Sequence, residues 1–369
     1  MTADVVGGVW SYACELIRAL APYGVEVTLA TMGDRPSVAQ VNLIDSMPNA
    51  TLEQSSFAHE WMPRRWRDVD AAGAWLLELV SVGRYDVVHL NSYTHASLPF
   101  GVPTVVVAHS CVCTWFRAVH DKDAPPDWDE YRRRVRVGLE AATAIVSPTY
   151  AIGSAVLAAY GCDRDTRVIP NGRDATQWWP AVKESFVLTA GRLWDEAKGI
   201  ADLEACADRV RWPIHVAGSV SGPEGQGPLD VHGVHMLGEL RPEVLAEWMG
   251  RAAIYALPAR YEPFGLSVLE AALCDAVLVL GDVPSLREVW RDAAVYVPPR
   301  RHDLLANTLN ALADDPFRRR ALAAAARSRA LQMTPERMAG SYHALYREIT
   351  GARVTTVVND YSSVPCIIT

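Results

Sequence analysis

Residues 253–273 have the sequence AIYALPARYEPFGLSVLEAAL, and this stretch decides the fold class. The apolar run at 253–259 is typical of a strand that is buried on both faces. Pro263 disfavours a helical conformation at Glu262, so we expect a turn there and a helix that begins near residues 264–266. A strand, a turn and a helix in this order form the repeating unit of an α/β protein.

The same alternation runs through both halves of the chain. In the first half, strands are predicted at 25–32, 50–57, 85–92, 103–110, 144–149 and 167–172, and helices at 8–21, 68–81, 128–142 and 150–160. In the second half, strands are predicted at 185–193, 213–220, 233–237, 253–259, 276–282 and 293–299, between helical segments. Three more helical patterns follow Arg301. The fold class is therefore α/β, with two Rossmann-like, doubly wound domains that face a central cleft.

The periodicity also predicts where the domains end. We predict a first domain at 1–172, a turn-rich linker at 173–184, a second domain at 185–334, a final helix at 335–350 and a tail at 351–369 to which no function is assigned. At the other end, Met1 leads directly into a turn and a helix. A doubly wound domain normally begins with a strand that supports this loop. Either the first sheet lacks its first strand, a loss that could reduce activity or stability, or the chain starts a few residues later than its relatives do.

Composition limits the classes of function. Half of the 369 residues are hydrophobic, which is enough for two cored domains. The net charge of -8 argues against binding nucleic acid by neutralising phosphates. No apolar run has the roughly 18–20 residues of a membrane span and no signal pattern is present, so we expect a cytoplasmic protein. Seven scattered cysteines favour reduced thiols, and the close pair Cys111 and Cys113 favours buried thiols over a metal site.

Ligands of such folds bind at the carboxyl ends of the strands, so the residues that follow strands are the candidates for a site. The helix after residue 263 would point backbone N–H groups and a positive dipole end into the cleft, at Phe264, Gly265, Leu266 and Ser267. Glu270 on that helix can accept hydrogen bonds from ribose hydroxyls. The alternative is that Glu262 and Glu270 only complement the helix dipole.

The loop after the first strand of the second half, TAGRLWDEAKG at 189–199, carries two cations. Arg192 with its fork and Lys198 as a point charge could both reach one diphosphate. Gly191 permits the tight exit from the strand. The alternative for each cation alone is a solvated surface charge.

Two further candidates lie in the first domain. His109 ends the apolar strand at 103–110, where its imidazole could donate to a sugar hydroxyl or to a developing charge. A histidine with hydrogen-bond partners in the core is an equally good interpretation. Gly7 and Gly8 precede the first helix and could present N–H groups to a ligand.

A basic segment at 128–138 is a candidate for a surface contact. It contains four arginines at Arg132, Arg133, Arg134 and Arg136. Basic helices of this kind can touch membranes or anionic acceptors, although a solvated helix face is the favoured interpretation.

The conjunction of the segments GGVW, VVVAHS, VIPNGRD, GRLWDEAKG and PARYEPFGLSVLEA resembles the retaining nucleotide-sugar glycosyltransferases of family 4, which have the GT-B fold. The match runs in order from Gly7 to about Pro299. This resemblance implies that the first domain faces the acceptor, that the second binds the donor, and that the helix at 335–350 crosses back to the first domain. One departure is that Arg192 and Lys198 are one residue further apart than is common in the family.

The resemblance also implies roles for single residues. Glu262 and the backbone behind it would hold the donor sugar, and Glu270 would bind the ribose. Arg192 and Lys198 would stabilise the departing diphosphate, and His109 would contact the donor sugar near its anomeric centre. Neither a metal ion nor a cofactor would be needed.

The expected activity is transfer of a hexose from a nucleoside diphosphate sugar to a carbohydrate or lipid-linked acceptor, the latter with a peripheral membrane contact. Two alternatives stay open. One is a GT-B protein that only binds its ligand or is weakly active, which the expected loss of the first strand suggests. The other is a nucleotide-sugar epimerase or hydrolase, which would require further acid and base residues in the cleft.

Overall fold

The computed structural model describes residues 1–62, 65–220, 222 and 232–351. The strands of the first half are β1 (Thr2–Asp4), β2 (Val27–Met32), β3 (Ala50–Gln54), β4 (Val88–Leu90), β5 (Thr104–Val107), β6 (Ala144–Ser147) and β7 (Arg167–Val168). The helices are α1 (Gly8–Leu20), α2 (Val38–Asp45), α3 (Trp66–Val82), α4 (Val112–His120), α5 (Asp129–Ala141) and α6 (Tyr150–Tyr160). Helices α2 and α4 were not predicted from the sequence.

All strand pairs of the first half are parallel, in two ladders with the orders β3-β2-β1 and β4-β5-β6-β7. Asn91, just after β4, joins the ladders because its backbone N–H and its side-chain amide donate to Thr2 at 3.0 and 2.7 Å. The resulting order 3-2-1-4-5-6-7 is that of a Rossmann-like half, with its switch point between β1 and β4.

The expected loss of the first strand is wrong. β1 pairs with β2 in parallel, with Thr2 opposite Ala30, and the terminal ammonium of Met1 donates to the carbonyl of Thr28 at 2.7 Å. Three residues are too few for a periodic pattern, and only one of them, Ala3, is apolar. The glycine loop is therefore supported by a strand, as in other doubly wound domains.

The second half repeats the same order. Its strands are β8 (Glu184–Ala190), β9 (Ile214–Ala217), β10 (His235–Gly238), β11 (Ala252–Leu257), β12 (Val277–Gly281) and β13 (Val295–Val297). Its helices are α7 (Ile200–Glu204), α8 (Pro242–Arg251), α9 (Leu266–Leu273), α10 (Pro284–Trp290), α11 (His302–Asp314), α12 (Pro316–Ala330) and α13 (Pro335–Thr350). The parallel strands follow the order β10-β9-β8-β11-β12-β13, so the switch point lies between β8 and β11.

Two chain segments pass between the halves and touch each other. The backbone N–H of Arg173 donates to the carbonyl of Met333 at 3.1 Å. A Cβ atom on Gly172 would lie 2.3 Å from the carbonyl of Thr334, so only glycine allows this close approach. Helix α13 then packs on α1, with Tyr342 in the same hydrophobic core as Leu16. This apolar core anchors the second segment to the first half.

None of the described helices is both long and apolar enough to cross a membrane. Of the predicted tail at 351–369, residues 352–369 lie outside the described residues.

Candidate functional site

The candidate site lies where the carboxyl ends of β8 and β11 face the loop after β1. A Cβ atom on Gly7 would lie 3.9 Å from the Cδ and Nη1 atoms of Arg192, and one on Gly8 would lie 3.4 Å from a methyl group of Leu266. The glycine loop of the first half thus faces both the cation loop and the start of α9. Gly7 has φ +80°, a conformation that favours glycine.

The turn before α9 follows the sequence prediction, because α9 begins at Leu266. Gly265 has φ +87°, and a Cβ atom on it would lie 2.9 Å from a methyl group of Val268. The N–H of Phe264 lies 3.5 Å from Oε1 of Glu262, so this group is directed at a protein carboxylate. The backbone N–H groups of Leu266 and Ser267, in the first turn of α9, have no partner within the helix.

Glu262 and Lys198 lie together, although they are far apart in the sequence. The Nζ atom of Lys198 is 2.6 Å from Oε2 of Glu262, and their side chains are only 15% and 10% exposed. Ser285 donates to the backbone carbonyl of Glu262 and fixes the turn. A ligand in the cleft would therefore meet an ion pair in which each charge already has a partner.

The loop between Arg192 and Lys198 ends in one turn of 3₁₀ helix at Glu196–Lys198. Asp195 caps this turn, since its Oδ1 accepts from the N–H of Ala197 at 3.1 Å. Its Oδ2 lies 3.2 Å from a guanidinium nitrogen of Arg192. The longer loop therefore still brings Lys198 to Glu262.

Asp195 also joins the two halves, which the sequence did not indicate. Its Oδ1 accepts a hydrogen bond at 3.0 Å from the indole N–H of Trp115 on α4. Arg192 remains 45% exposed and stacks near the ring of Trp194. Gly191 has φ +155° at the exit from β8, where open space surrounds the position of a Cβ atom.

Glu270 lies deeper in the interface than the sequence suggested. Its Oε1 is 2.5 Å from Nη2 of Arg173, whose Nη1 is 3.0 Å from Oε1 of Glu15 on α1. Burial raises the pKa of Glu270, and the guanidinium of Arg173 opposes that shift. Neither Arg173 nor Glu15 was recognised from the sequence, because Arg173 occurs in what looked like a linker and Glu15 in an ordinary helix.

His109 belongs to the first half of the chain and follows β5. Its Nε2 is 2.8 Å from Oδ1 of Asn91, whose amide nitrogen already donates to Thr2. Burial lowers the pKa of His109 to about 4, so the ring is neutral at pH 7. Nε2 must then carry the proton, and Nδ1 is an acceptor. This differs from the expected donor role, because Asn91 takes the only N–H of the neutral ring.

Replacing His109 with glutamine should remove part of the acid sensitivity of folding. The pKa of His109 in the folded protein, about 4, is below the ordinary 6.5, so the unfolded chain binds the proton first as the pH falls. Between pH 7 and pH 5 the unmodified protein should therefore lose about 1–2 kcal/mol more unfolding free energy than His109→Gln. Urea unfolding of both proteins at both pH values measures this difference. Equal losses would show that His109 does not have a depressed pKa.

The four arginines of α5 each have a carboxylate partner. The pairs are Arg132 with Asp129, Arg133 with Glu130, Arg134 with Glu130 and Asp70, and Arg136 with Glu140. These pairs reduce the net charge of the face and agree with the interpretation as a solvated helix face.

Metal-ligating side chains do not gather in the part of the chain that the structure describes: no group of three or more His, Cys, Asp or Glu residues there is placed to hold an ion.

Two family models match the chain, one on each half. The model described as Glycosyltransferase Family 4 matches residues 6–177, and the model described as Glycosyl transferases group 1 matches residues 184–315. Together they cover the loop after β1, the loop at 189–199 and the start of α9.

Curated relatives and solved structures agree with these models. A D-inositol 3-phosphate glycosyltransferase of Xylanimonas cellulosilytica is 30% identical over 94% of this chain and 93% of its own. An α-maltose-1-phosphate synthase of Mycolicibacterium smegmatis is 28% identical over 64% of this chain and 70% of its own.

Sucrose-phosphate synthase of Thermosynechococcus elongatus has the same fold, with a TM-score of 0.78 at 19% identity over 94% and 95% of the two chains. The Anabaena protein HepE in complex with UDP and glucose gives a TM-score of 0.73 at 16% identity over 94% and 98%. The chain therefore belongs to the glycosyltransferases of family 4 and has their two-domain GT-B fold.

Proposed function

We propose that the protein transfers a hexose from a nucleoside diphosphate sugar to a hydroxyl group of a carbohydrate or lipid-linked acceptor, with retention and without a metal ion. The observation that carries the proposal is the convergence of Arg192, Lys198 and the start of α9 at the carboxyl ends of β8 and β11, opposite the Gly7 loop. Two cations and a helix N-terminus form a site for a diphosphate. The complex of HepE with UDP and glucose supports such a ligand for this fold.

In this proposal the two acids bind different parts of the donor. Glu262 holds hydroxyl groups of the sugar, and Glu270 accepts from the ribose. The diphosphate lies between them, where Lys198 can turn from Glu262 to a phosphate oxygen. This movement would exchange the 2.6 Å contact of Lys198 with Glu262 for a contact with the phosphate.

Catalysis in this site is mainly electrostatic. Arg192 and Lys198 stabilise the negative charge that develops on the diphosphate as the bond to the sugar breaks. The acceptor attacks from the same face, and its proton passes to an oxygen of the departing phosphate. His109 contacts the sugar near the anomeric carbon and, as a neutral ring, offers Nδ1 as an acceptor. The two cations supply the charge that a divalent ion provides in other transferases.

The acceptor is a matter for screening. The Xylanimonas relative is named for D-inositol 3-phosphate, so phosphorylated polyols and sugars belong in the screen beside neutral oligosaccharides. A lipid-linked acceptor would require a peripheral membrane contact. The arginines of α5 could provide one, but their carboxylate partners reduce the positive charge of that face. The idea of a binding-only protein depended on the loss of the first strand, and β1 removes that reason.

A donor screen tests the proposal. The protein is incubated with UDP-, GDP-, ADP- and TDP-linked hexoses, and nucleoside diphosphate release is measured with and without acceptors, in EDTA and in Mg²⁺. One donor class should be consumed at equal rates in EDTA and Mg²⁺, and NMR should show the donor's anomeric configuration in the first product. An inverted product would overturn retention, and loss of activity in EDTA would overturn metal independence. No consumption of any donor would overturn the transfer itself.

A further inference from the structure

Arg173 is the one described residue that forms ion pairs with carboxylates from both halves of the chain at this interface. It is held in place by its own backbone N–H, which donates to Met333, and by the ring of Trp178, 5.3 Å from the guanidinium carbon. The side chain is only 11% exposed. A buried, anchored guanidinium presents its nitrogens in a fixed geometry.

The two carboxylates use different nitrogens of the fork. Nη1 contacts Glu15 on α1, and Nη2 contacts Glu270 on α9. The side chains of Glu15 and Glu270 are only 3% and 9% exposed. Without the guanidinium, two buried carboxylates would face each other with little solvent to separate them. Among the described residues, Arg18 is the other cation paired with Glu15, at 3.9 Å, and it is 46% exposed.

The geometry leaves one oxygen of Glu270 for a ligand. The ion pair with Arg173 uses Oε1. The Glu270 side chain is only 9% exposed and its Oε1 is held by an anchored guanidinium, so the positions open to the other oxygen, Oε2, are restricted. Hydrogen bonds to a charged acceptor in a buried site depend strongly on such an orientation.

We propose that Arg173 is a positioning residue of the donor site, which holds the Glu270 carboxylate in the orientation that binds the ribose hydroxyls and ties it to α1 through Glu15. This inference rests on the proposed function, in which Glu270 binds the ribose. It assigns a role in donor binding to a residue of the segment that joins the two halves. Arg173 acts through Glu270 and does not contact the donor.

The direction of the pKa shifts supports this role. Burial raises the pKa of Glu270 and of Glu15, and for both carboxyls the largest opposing effect is the charge of Arg173. The charge of Arg173 therefore favours the charged form of Glu270, which accepts hydrogen bonds more strongly than a neutral carboxyl.

The test compares a nucleoside diphosphate with its 2′,3′-dideoxy counterpart. Of UDP, GDP and ADP, the one that binds the full-length protein most tightly is used, and dissociation constants are measured by calorimetry. The unmodified protein should prefer the ribose form by about 10- to 100-fold. In Arg173→Met this preference should fall to within about 3-fold, while the affinity for the dideoxy form stays within about 3-fold of its original value. Arg18→Met, the neighbouring exposed arginine, is the matched control and should keep the full preference.

Two further variants separate the ways in which the idea can fail. Glu270→Gln should also lose the preference; if it keeps the preference, the ribose assignment in the proposed function is wrong. If Glu270→Gln loses it but Arg173→Met keeps it, or weakens both ligands equally, Arg173 is only structural and the inference is overturned. If Arg173→Met does not fold, Arg173→Lys decides, because one ammonium group cannot reproduce the fork. A preference reduced at least 3-fold supports the inference, and an unchanged preference overturns it.

Discussion

Replacing Lys198 with alanine should lower kcat by about 10²- to 10³-fold, with a change in the donor KM of less than about 5-fold. The charge on the diphosphate grows as the glycosidic bond breaks, so a cation beside it stabilises the transition state more than the bound donor. Removal of one such preorganised group typically costs two to three orders of magnitude in kcat. Lys198 lies in a nearly closed site, where its charge is poorly screened by water.

Steady-state kinetics with the active donor, combined with thermal unfolding, measure this effect. Lys122→Ala, which removes an exposed lysine of the first half, is the matched control and should leave kcat unchanged. A large rise in KM without a loss of kcat would show that Lys198 binds the donor equally in the ground state. That result would contradict its role in leaving-group stabilisation.

Glu262→Gln should separate binding of the sugar from binding of the nucleotide. We expect kcat/KM for the nucleotide sugar to fall by about 10²-fold, because about two hydrogen bonds between a charged acceptor and sugar hydroxyls are weakened. The affinity for the free nucleoside diphosphate should stay the same or rise slightly. The reason is that Lys198, now without a carboxylate partner 2.6 Å away, is free to pair with phosphate.

The check is to measure both quantities on one preparation, kinetically for the donor and by calorimetry for the nucleoside diphosphate. Glu288→Gln is a useful control, since Glu288 accepts from the N–H groups of Tyr150 and Ala151 between the halves but lies outside the proposed donor contacts. Weaker binding of the nucleoside diphosphate by Glu262→Gln would contradict the assignment of Glu262 to the sugar.

Much of the fold could be predicted from local patterns. The apolar run of β11, the block at Pro263 and the start of α9 depend on residues that are adjacent in the sequence, and the structure agrees with all three. Two of the missed elements lack such local signals: β1 has only three residues, and α4 is capped by the thiol of Cys111, which is not among the usual N-cap residues. Helix α2 was missed although Ser37 and Gln40 form a capping box at its start.

The site was predictable only in part, because some of its contacts join residues that are far apart in the chain. Glycines and acids after strands could be found by position. The ion pairs of Arg173 with Glu15 and Glu270 could not be predicted in this way. The hydrogen bond from Trp115 to Asp195 could not be predicted either. The tautomer of His109 could not be predicted from the sequence either, since it depends on the contact with Asn91. These relations follow from the packing of the two halves and leave no periodic trace in the sequence.

The central claim is that the second half of the chain binds the nucleotide of a donor in the cleft between the halves. Calorimetric titration with UDP, GDP, ADP and TDP in EDTA tests this claim most directly. We predict that one of the four binds with a single site, that EDTA does not weaken it relative to Mg²⁺, and that Glu270→Ala weakens it by about 10- to 100-fold. Absence of binding by all four, or equal affinity in Glu270→Ala, would contradict this account of the site.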